Sequence, residues 1–402
     1  MCAEESSICA FLNYYNGSMG NPRRVAIALQ IDQPYPHHQD VFSGIVRYAK
    51  ERGNWECVID EHPAYDVRRR HGPVTRYDGV IARALPNLQR RLKRHGIPLV
   101  NTQFQTSRPE LPGVYSDPWS MGRLAAEHLI DRAFRRLSIL VDIRHKHSWE
   151  ICQGFVRRAA EARVSCTVHE LPEESYENPV YWLRVETTLA EVLKTLTPPV
   201  AVFVETAPVA RLMVQLAEAL KWRIPHEMAI LCTHNLKAVV SISPQISSIE
   251  PNYERVGYEA AGLLDQLMSG KKTSHAPIYV PPRGIIARES TDYFAVDDEV
   301  VAAALQFISG RLGKPLRVSE IASAVMVSPR LLQQRFHESL GRGVSDEIRR
   351  LRIEAAKRML TEPGRQIREI AVLCGFRNSD IMCQVFRREV GVNPRQYRAQ
   401  VK

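Results

Sequence analysis

From Arg24 to about Ala287 the chain alternates short apolar runs with segments of helical period; from Val300 onward it never does so again. Arg24–Ile31, Trp55–Ile59, Tyr77–Ala82, Ile97–Asn101, Leu137–Val141, Val200–Val204 and Met228–Cys232 have strand length and strand composition. Between them lie helical segments. One places Val41, Ile45, Val46 and Tyr48-Ala49 on one face and ends at Gly53; the others are Leu85–His95, Ser120–Asp131, Glu150–Ala162, Leu189–Leu196, Val209–Leu220 and Tyr253–Met268. Strands that alternate with helices pair in parallel, because each crossover helix returns the chain to the same end of the sheet. About 270 residues of such units exceed one small sheet, so two α/β lobes are expected. Ile278–Pro282 and Gly284–Ala287 read as closing strands. The boundary to the helical part is placed near Ala295–Glu299. The expected fold is therefore α/β, with a flexible leader (1–22), a two-lobed body (23–294) and an all-α domain (295–402).

Charge follows the same division. The 402 residues carry 54 Lys+Arg against 44 Asp+Glu. Residues 311–402 hold 19 and 9 of these, a net +10, which leaves 35 against 35 in residues 1–310. A neutral body with a basic tail domain points to nucleic acid; an anionic membrane is the rival partner, and no membrane is expected because the basic residues accompany polar faces rather than an exposed apolar stripe. No run of about 18 apolar residues occurs, so no spanning helix is expected. The stretch Met1–Gly20 is polar and lacks a signal core, so a cytoplasmic location is expected. Eight scattered cysteines (Cys2, Cys9, Cys57, Cys152, Cys166, Cys232, Cys374, Cys383), none in a Cys-x-x-Cys pair, fit a reducing compartment and give no zinc framework.

The basic part contains a near-repeat. Ser319-Glu-Ile-Ala322, Val327-Ser-Pro329, Leu332, Phe336 and Gly341 are followed by Arg368-Glu-Ile-Ala371, Gly375-Phe-Arg-Asn378, Met382, Phe386 and Gly391. The second copy has one extra residue in its turn. Each copy reads as a helix-turn-helix. Glu-Ile-Ala opens a short helix whose small Ala admits a close crossing. Ser328 or Asn378 supplies an N-cap oxygen, and Pro329 suits the first helical position. Leu332/Phe336 and Met382/Phe386, at i and i+4, anchor each second helix to the core. Val344–Leu360 reads as one amphipathic helix between the copies, with Ile348, Leu351, Ala355 and Met359 inward.

On these residues, and on the run through Gly391-Val-Asn-Pro-Arg-Gln-Tyr397, positions 300–400 resemble the AraC/XylS-type DNA-binding domain. The resemblance implies that the second helix of each unit enters the major groove. Base-reading candidates are then Arg330, Gln333 and Gln334 in the first copy and Ser379, Asp380, Cys383 and Gln384 in the second. Arg suits guanine O6/N7, Gln suits adenine N6/N7 and Asp accepts from cytosine N4. Arg335, Arg349, Arg377, Arg387, Arg388, Arg395 and Arg398 are candidates for phosphate contacts, which position the protein without reading sequence.

Residues 24–290 resemble the periplasmic-binding-protein-like effector domain of LacI/GalR regulators, through Tyr115-Ser-Asp117 with Gly122–Ile130, Ile249-Glu-Pro251 with Gly257–Ala261, and Ile286–Thr291. The combination is similar to the xylose operon regulator family. It implies an effector cleft, a homodimer, promoter DNA as partner, RNA polymerase as partner of an activator, and half-sites related by whole helical turns of about 34–36 Å. The family's sugar-binding positions are altered: Glu205-Thr-Ala-Pro208 stands where an Asp is common, His234-Asn235 where Asp-Asn is common, and Ile151 where an Arg is common. A sugar such as xylose, a non-sugar ligand and no ligand at all stay open as effector readings. Cleft candidates are His37, His38, Asp40, Trp149, Glu150, Glu205, His234 and Asn235.

No cofactor, metal or catalysis is expected. His145-Lys-His147 reads as a solvated loop pair, Arg68–His71 as an exposed charge run, and Glu173-Glu174 as carboxylates without an acid–base partner. A Gly-rich phosphate loop, a Gly-x-Ser-x-Gly elbow and a His-Glu-x-x-His motif are all missing, which argues against an enzyme.

Overall fold

A computed structural model describes residues 22–31, 36–63, 77–83, 86–104, 111–173, 179–236, 241–271, 276–296, 298–361 and 365–400. The leader through Asn21, Arg68–His71 and Glu174 lie outside the described residues. The chain forms two compact units: residues up to Ser116 with Asn252–Val280, and Asp117–Pro251 with Pro281 onward.

The first unit contains β1 (Arg23–Ala28), α1 (Pro36–Arg52), β2 (Trp55–Ile59), β3 (Gly79–Ala82), α2 (Pro86–Arg94) and β4 (Leu99–Asn101). Its sheet runs β2-β1-β3-β4, parallel throughout. A separate parallel pair joins β5 (Val114–Ser116) to β11 (Ile278–Val280). The later helix α7 (Tyr253–Met268) returns to this unit and packs on α1. Gly44 and Gly257 allow that approach, since a Cβ at either would meet backbone of the facing helix.

The second unit begins with α3 (Pro118–Asp131), β6 (Arg136–Val141), α4 (Lys146–Glu161), β7 (Ser165–Glu170), α5 (Pro179–Thr195), β8 (Val200–Val204), α6 (Ala207–Ala219), β9 (Met228–Thr233), β10 (Ser247–Glu250) and β12 (Gly284–Ile286). The sheet order is β12-β10-β9-β8-β6-β7, and only β12 runs antiparallel to its neighbour. Central β8 and β9 are buried along their whole length, as a sheet covered on both faces requires. The two closing strands part company: β11 pairs in the first unit and β12 caps the edge of the second unit's sheet.

The remaining helices are α8 (Glu299–Ser309), α9 (Val318–Ala324), α10 (Pro329–Leu340), α11 (Val344–Thr361), α12 (Ile367–Leu373), α13 (Ser379–Val390) and α14 (Pro394–Gln400). They build two small cores. Leu332 and Phe336 enter one, with Ile321 and α8; Met382 and Phe386 enter the other, with Ile370. The long helix α11 feeds both, Ile348 and Leu351 into the first, Ile353, Ala356 and Leu360 into the second. Among the described residues no helix is long and apolar enough to cross a membrane.

Candidate nucleic-acid interface and effector site

The two helical repeats share their turn hydrogen bonds. Val325 N–H donates to Ile321 O, Met326 to Ser323 O and Val327 to Ala322 O; 49 residues on, Cys374 donates to Ile370 O, Gly375 to Val372 O and Phe376 to Ala371 O. The left-handed position of each turn is Met326 (φ 56) in one copy and Gly375 (φ 77) in the other. Arg377 is the added residue, and from Ser328/Asn378 onward the offset is 50. Ser328 Oγ accepts from Leu331 N at 3.2 Å and Asn378 Oδ1 from Ile381 N at 2.9 Å, so both second helices are capped by their expected residues.

Those caps and anchors fix which side chains face out. Successive helical residues turn by about 100°. With Leu332 and Phe336 inward, Arg330, Leu331, Gln334, His337 and Glu338 project outward from α10, and all are exposed. The same rotation exposes Asp380, Ile381, Gln384, Arg387 and Arg388 on α13. Of the base-reading candidates, Arg330, Gln334, Asp380 and Gln384 therefore stand on the outward faces, Gln334 donating to Glu338 at 2.9 Å. Gln333, Ser379 and Cys383 are half-buried, and Gln333 Oε1 accepts from Val344 N at 3.2 Å, holding the start of α11. Leu331 and Ile381 share the outward faces at the same repeat position, outside the expected set of base readers.

The seven candidate phosphate arginines divide likewise. Arg377, Arg387, Arg388 and Arg395 are exposed, with Arg388 paired to the adjacent Glu389 at 2.9 Å. Arg335 turns back to Asp298, the N-cap of α8, with both oxygens at 3.2 Å. Arg398 donates to Leu360 O at 3.2 Å, and Arg349 pairs with Asp346 at 2.9 Å.

The effector candidates fall in both units. In the first, His38 is buried with Nδ1 2.9 Å from Gln30 O, the His37 ring lies edge-on to His38 and tilted against Tyr253, and Asp40 is exposed. In the second, Glu205 follows β8 and gathers a polar cluster. Ser148 Oγ donates to its carboxylate at 2.5 Å, His147 Nδ1 lies 3.8 Å away, and Thr233 Oγ1 donates to its backbone oxygen. His147 is thus on the first turn of α4, packed against a carboxylate, and the expectation of a solvated loop pair is corrected: the loop after β6 is too short to keep it off the helix. His234 Nδ1 sits 2.9 Å from Thr233 Oγ1. Burial, with His147 nearby, pulls the His234 pKa down to about 4, so its ring is neutral at pH 7. Trp149 is 47% exposed, and Glu150 is half-buried without entering the Glu205 cluster's hydrogen bonds. No group of three or more potential metal ligands occurs among the described residues.

Asn235 leads onward through the unit. Arg288 donates to its Oδ1 and, at 2.9 Å each, to Ile246 O and Ser248 Oγ. The Arg288 N–H donates to Ser247 Oγ, which lies 2.6 Å from Thr291 Oγ1. Thr291 is held from α3 by His128 Nε2 at 2.9 Å and by Arg132 Nε, which donates to its carbonyl at 2.6 Å. The last residue of α3, Asp131, accepts from Arg350 Nη1 of α11 at 2.6 Å. Arg350 also grips buried Glu347, which Arg342 binds from its other side. One turn along each helix, Glu127 of α3 faces Glu354 of α11; burial, opposed by Lys357 and reinforced by Glu127, raises the Glu354 pKa. The α/β lobe and the helix joining the two repeats thus meet at two points four residues apart on both helices.

The α/β body and the two helix-turn-helix units on the basic part mark this chain as a DNA-binding transcription regulator of AraC type with a periplasmic-binding-protein-like body. Residues 126–291 match the periplasmic binding protein-like domain family and residues 321–400 a helix-turn-helix domain family. The chain is similar to the xylose operon regulatory protein of Escherichia coli strain K12, 26% identical over 388 residues, covering 94% of this chain and 97% of that one. The xylose operon regulatory protein of Haemophilus influenzae is 28% identical over 294 residues, 72% of this chain and 75% of that one. The solved structure of the xylose-binding transcription activator xylR has the same fold, with a TM-score of 0.58 and 24% identity over 95% of this chain and 99% of that one.

Proposed function

We propose that residues 295–402 bind a specific promoter sequence and that residues 23–294 sense a small molecule and dimerise, the protein acting in the cytoplasm. The observation that carries this reading is the pair of capped second helices, each presenting polar side chains outward from the basic part of the chain. Arg330, Gln334, Asp380 and Gln384 are the proposed base readers, with Arg377, Arg387, Arg388 and Arg395 on phosphates. An activator of this build would also meet RNA polymerase.

The effector reading rests on the Glu205 cluster. A carboxylate beside a serine, a threonine and a neutral histidine offers acceptors and donors for vicinal hydroxyls. The named relatives are xylose operon regulators, so pentoses are the first effectors to try. Footprinting DNA upstream of the protein's own and neighbouring genes tests the DNA reading; a discrete protected site is expected, and uniform binding to all DNA would overturn it. A thermal-shift screen of pentoses and hexoses tests the sensor. A rise in Tm that is lost in Glu205→Ala supports it. No response to any sugar, with operator binding intact, would leave a regulator whose cleft takes another ligand or none.

A further inference from the structure

The outward faces of α10 and α13 each carry one apolar side chain among polar ones. Beside Arg330, Gln334, His337 and Glu338 stands Leu331, 36% exposed; beside Asp380, Gln384, Arg387 and Arg388 stands Ile381, 38% exposed. Both are the third residue of their helix, both directly precede a buried anchor, and they are 50 residues apart. Neither joins the core beneath it. Their backbone N–H groups are the ones bound by the Ser328 and Asn378 caps, so the first helical turn holds each side chain in a fixed place.

We propose that Leu331 and Ile381 are specificity residues, each seated against the C5 methyl group of a thymine in the major groove. The inference rests on the DNA-binding reading above. In helix-turn-helix docking the N-terminal residues of the second helix meet the base edges, and both residues lie there. The thymine methyl is the apolar group that the major groove displays, and aliphatic side chains recognise it by contact. Removing two small apolar surfaces from water is favourable, while cytosine at the same place offers no methyl. The neighbouring Arg330 and Gln334, or Asp380 and Gln384, would read the adjacent hydrogen-bonding edges. Each repeat then combines polar readers with one methyl reader.

The test starts with selection of binding sites by the full chain from a randomised duplex library. Each thymine of the selected site is then replaced singly by deoxyuridine, which removes the methyl and leaves the base pair. One thymine in each half of the site should weaken binding by about 3- to 10-fold when demethylated. Leu331→Ala should abolish that sensitivity at one of them and Ile381→Ala at the other, with circular dichroism unchanged. The wild-type measurement stands even where a variant fails to fold. If no thymine is methyl-sensitive, or if the sensitivity survives both substitutions, the assignment is wrong while DNA recognition stands. If the library yields no enriched sequence, the DNA reading itself falls, and this assignment with it.

Discussion

Arg350 is one of the side chains through which the basic domain meets the α/β lobe, and its removal should be costly. Its guanidinium donates to Asp131 Oδ1 at 2.6 Å, to Glu347 Oε1 at 2.9 Å and to Glu347 Oε2 at 3.0 Å. The Glu347 side chain is 2% exposed and Asp131 11%. Burial works against the charged form of Arg350, but the bonds to Glu347 and Asp131 outweigh it and raise its pKa. Breaking a buried pair by removing one partner costs about 3–5 kcal/mol, because a desolvated charge is left uncompensated. Glu347 keeps Arg342, and Arg350 is 29% exposed, so Arg350→Ala should sit at the lower end, about 3 kcal/mol. Arg350→Lys keeps the charge but loses the forked geometry and should fall between. The assay is urea unfolding of the full chain with separate probes for the lobe and the helical domain, since parts with separate hydrophobic cores need not unfold in one step. A double-mutant cycle with Asp131→Asn then isolates the contact between them, with a coupling of at least about 1 kcal/mol expected. Losses below about 0.5 kcal/mol, or strict additivity in the cycle, would show that the cluster is a solvated ion pair and does not join the two parts.

Met326 holds a left-handed backbone conformation with its side chain 92% exposed, so Met326→Gly should stabilise the helical domain by about 0.5–1 kcal/mol in chemical denaturation. Gly375→Ala, at the matching position, should destabilise it strongly, because the added Cβ meets the Leu312 carbonyl oxygen and the Arg352 guanidinium. Asn378→Ala should lower stability by about 1 kcal/mol through loss of the cap on α13, again read by denaturation. The raised Glu354 pKa means that the folded protein binds this proton more tightly than the unfolded chain. Its contribution is complete below the unfolded carboxylate pKa and is lost as pH rises through the folded value. Glu354→Gln should therefore flatten the decline of stability with rising pH; an unchanged pH profile would contradict the assignment.

The alternation of apolar runs with helical segments made the α/β body legible, because fully buried parallel strands such as β8 and β9 need continuous apolar sequence. Three strands, β5, β7 and β10, escaped notice; β10 is mostly buried, yet its sequence, Ser247-Ser-Ile-Glu250, is polar. β7, Ser165–Glu170, is an edge strand whose residues are mostly exposed, so neither an apolar run nor a clean alternation marks it. Short β5 is held by pairing with a strand more than 160 residues later, which no local pattern records. In the helical domain the anchors, caps and turns were readable since each is a short-range device. Rotation about the helix axis was read less finely: Gln333 and Cys383 lie about 100° from the anchor line and come out half-buried. The Glu205 cluster shows the same limit. Ser148 and Thr233 join Glu205 from two other elements, and nothing in either local sequence marks them as its neighbours.

The basic excess of residues 311–402 also divides into two jobs once the side chains are placed. Arg342 and Arg350 neutralise Glu347 and Asp131, Arg335 binds Asp298, and Arg352 and Arg398 satisfy the carbonyl oxygens of Leu312, Lys314 and Leu360. These five hold helices together or hold the domain to its lobe. Net charge therefore overstates what is available to a phosphate backbone. Each phosphate contact steepens the dependence of log K on log salt by about 0.9, so the slope counts cations that reach DNA. Arg330, Arg377, Arg387, Arg388 and Arg395 are exposed, Arg388 pairing with its neighbour Glu389 at 2.9 Å, whereas the five internal arginines are not fully exposed and serve acceptors elsewhere in the fold. The exposed arginines proposed to meet DNA and the arginines that tie helix to helix or domain to lobe are thus largely different residues, so substitution of one set is expected to leave the other in place.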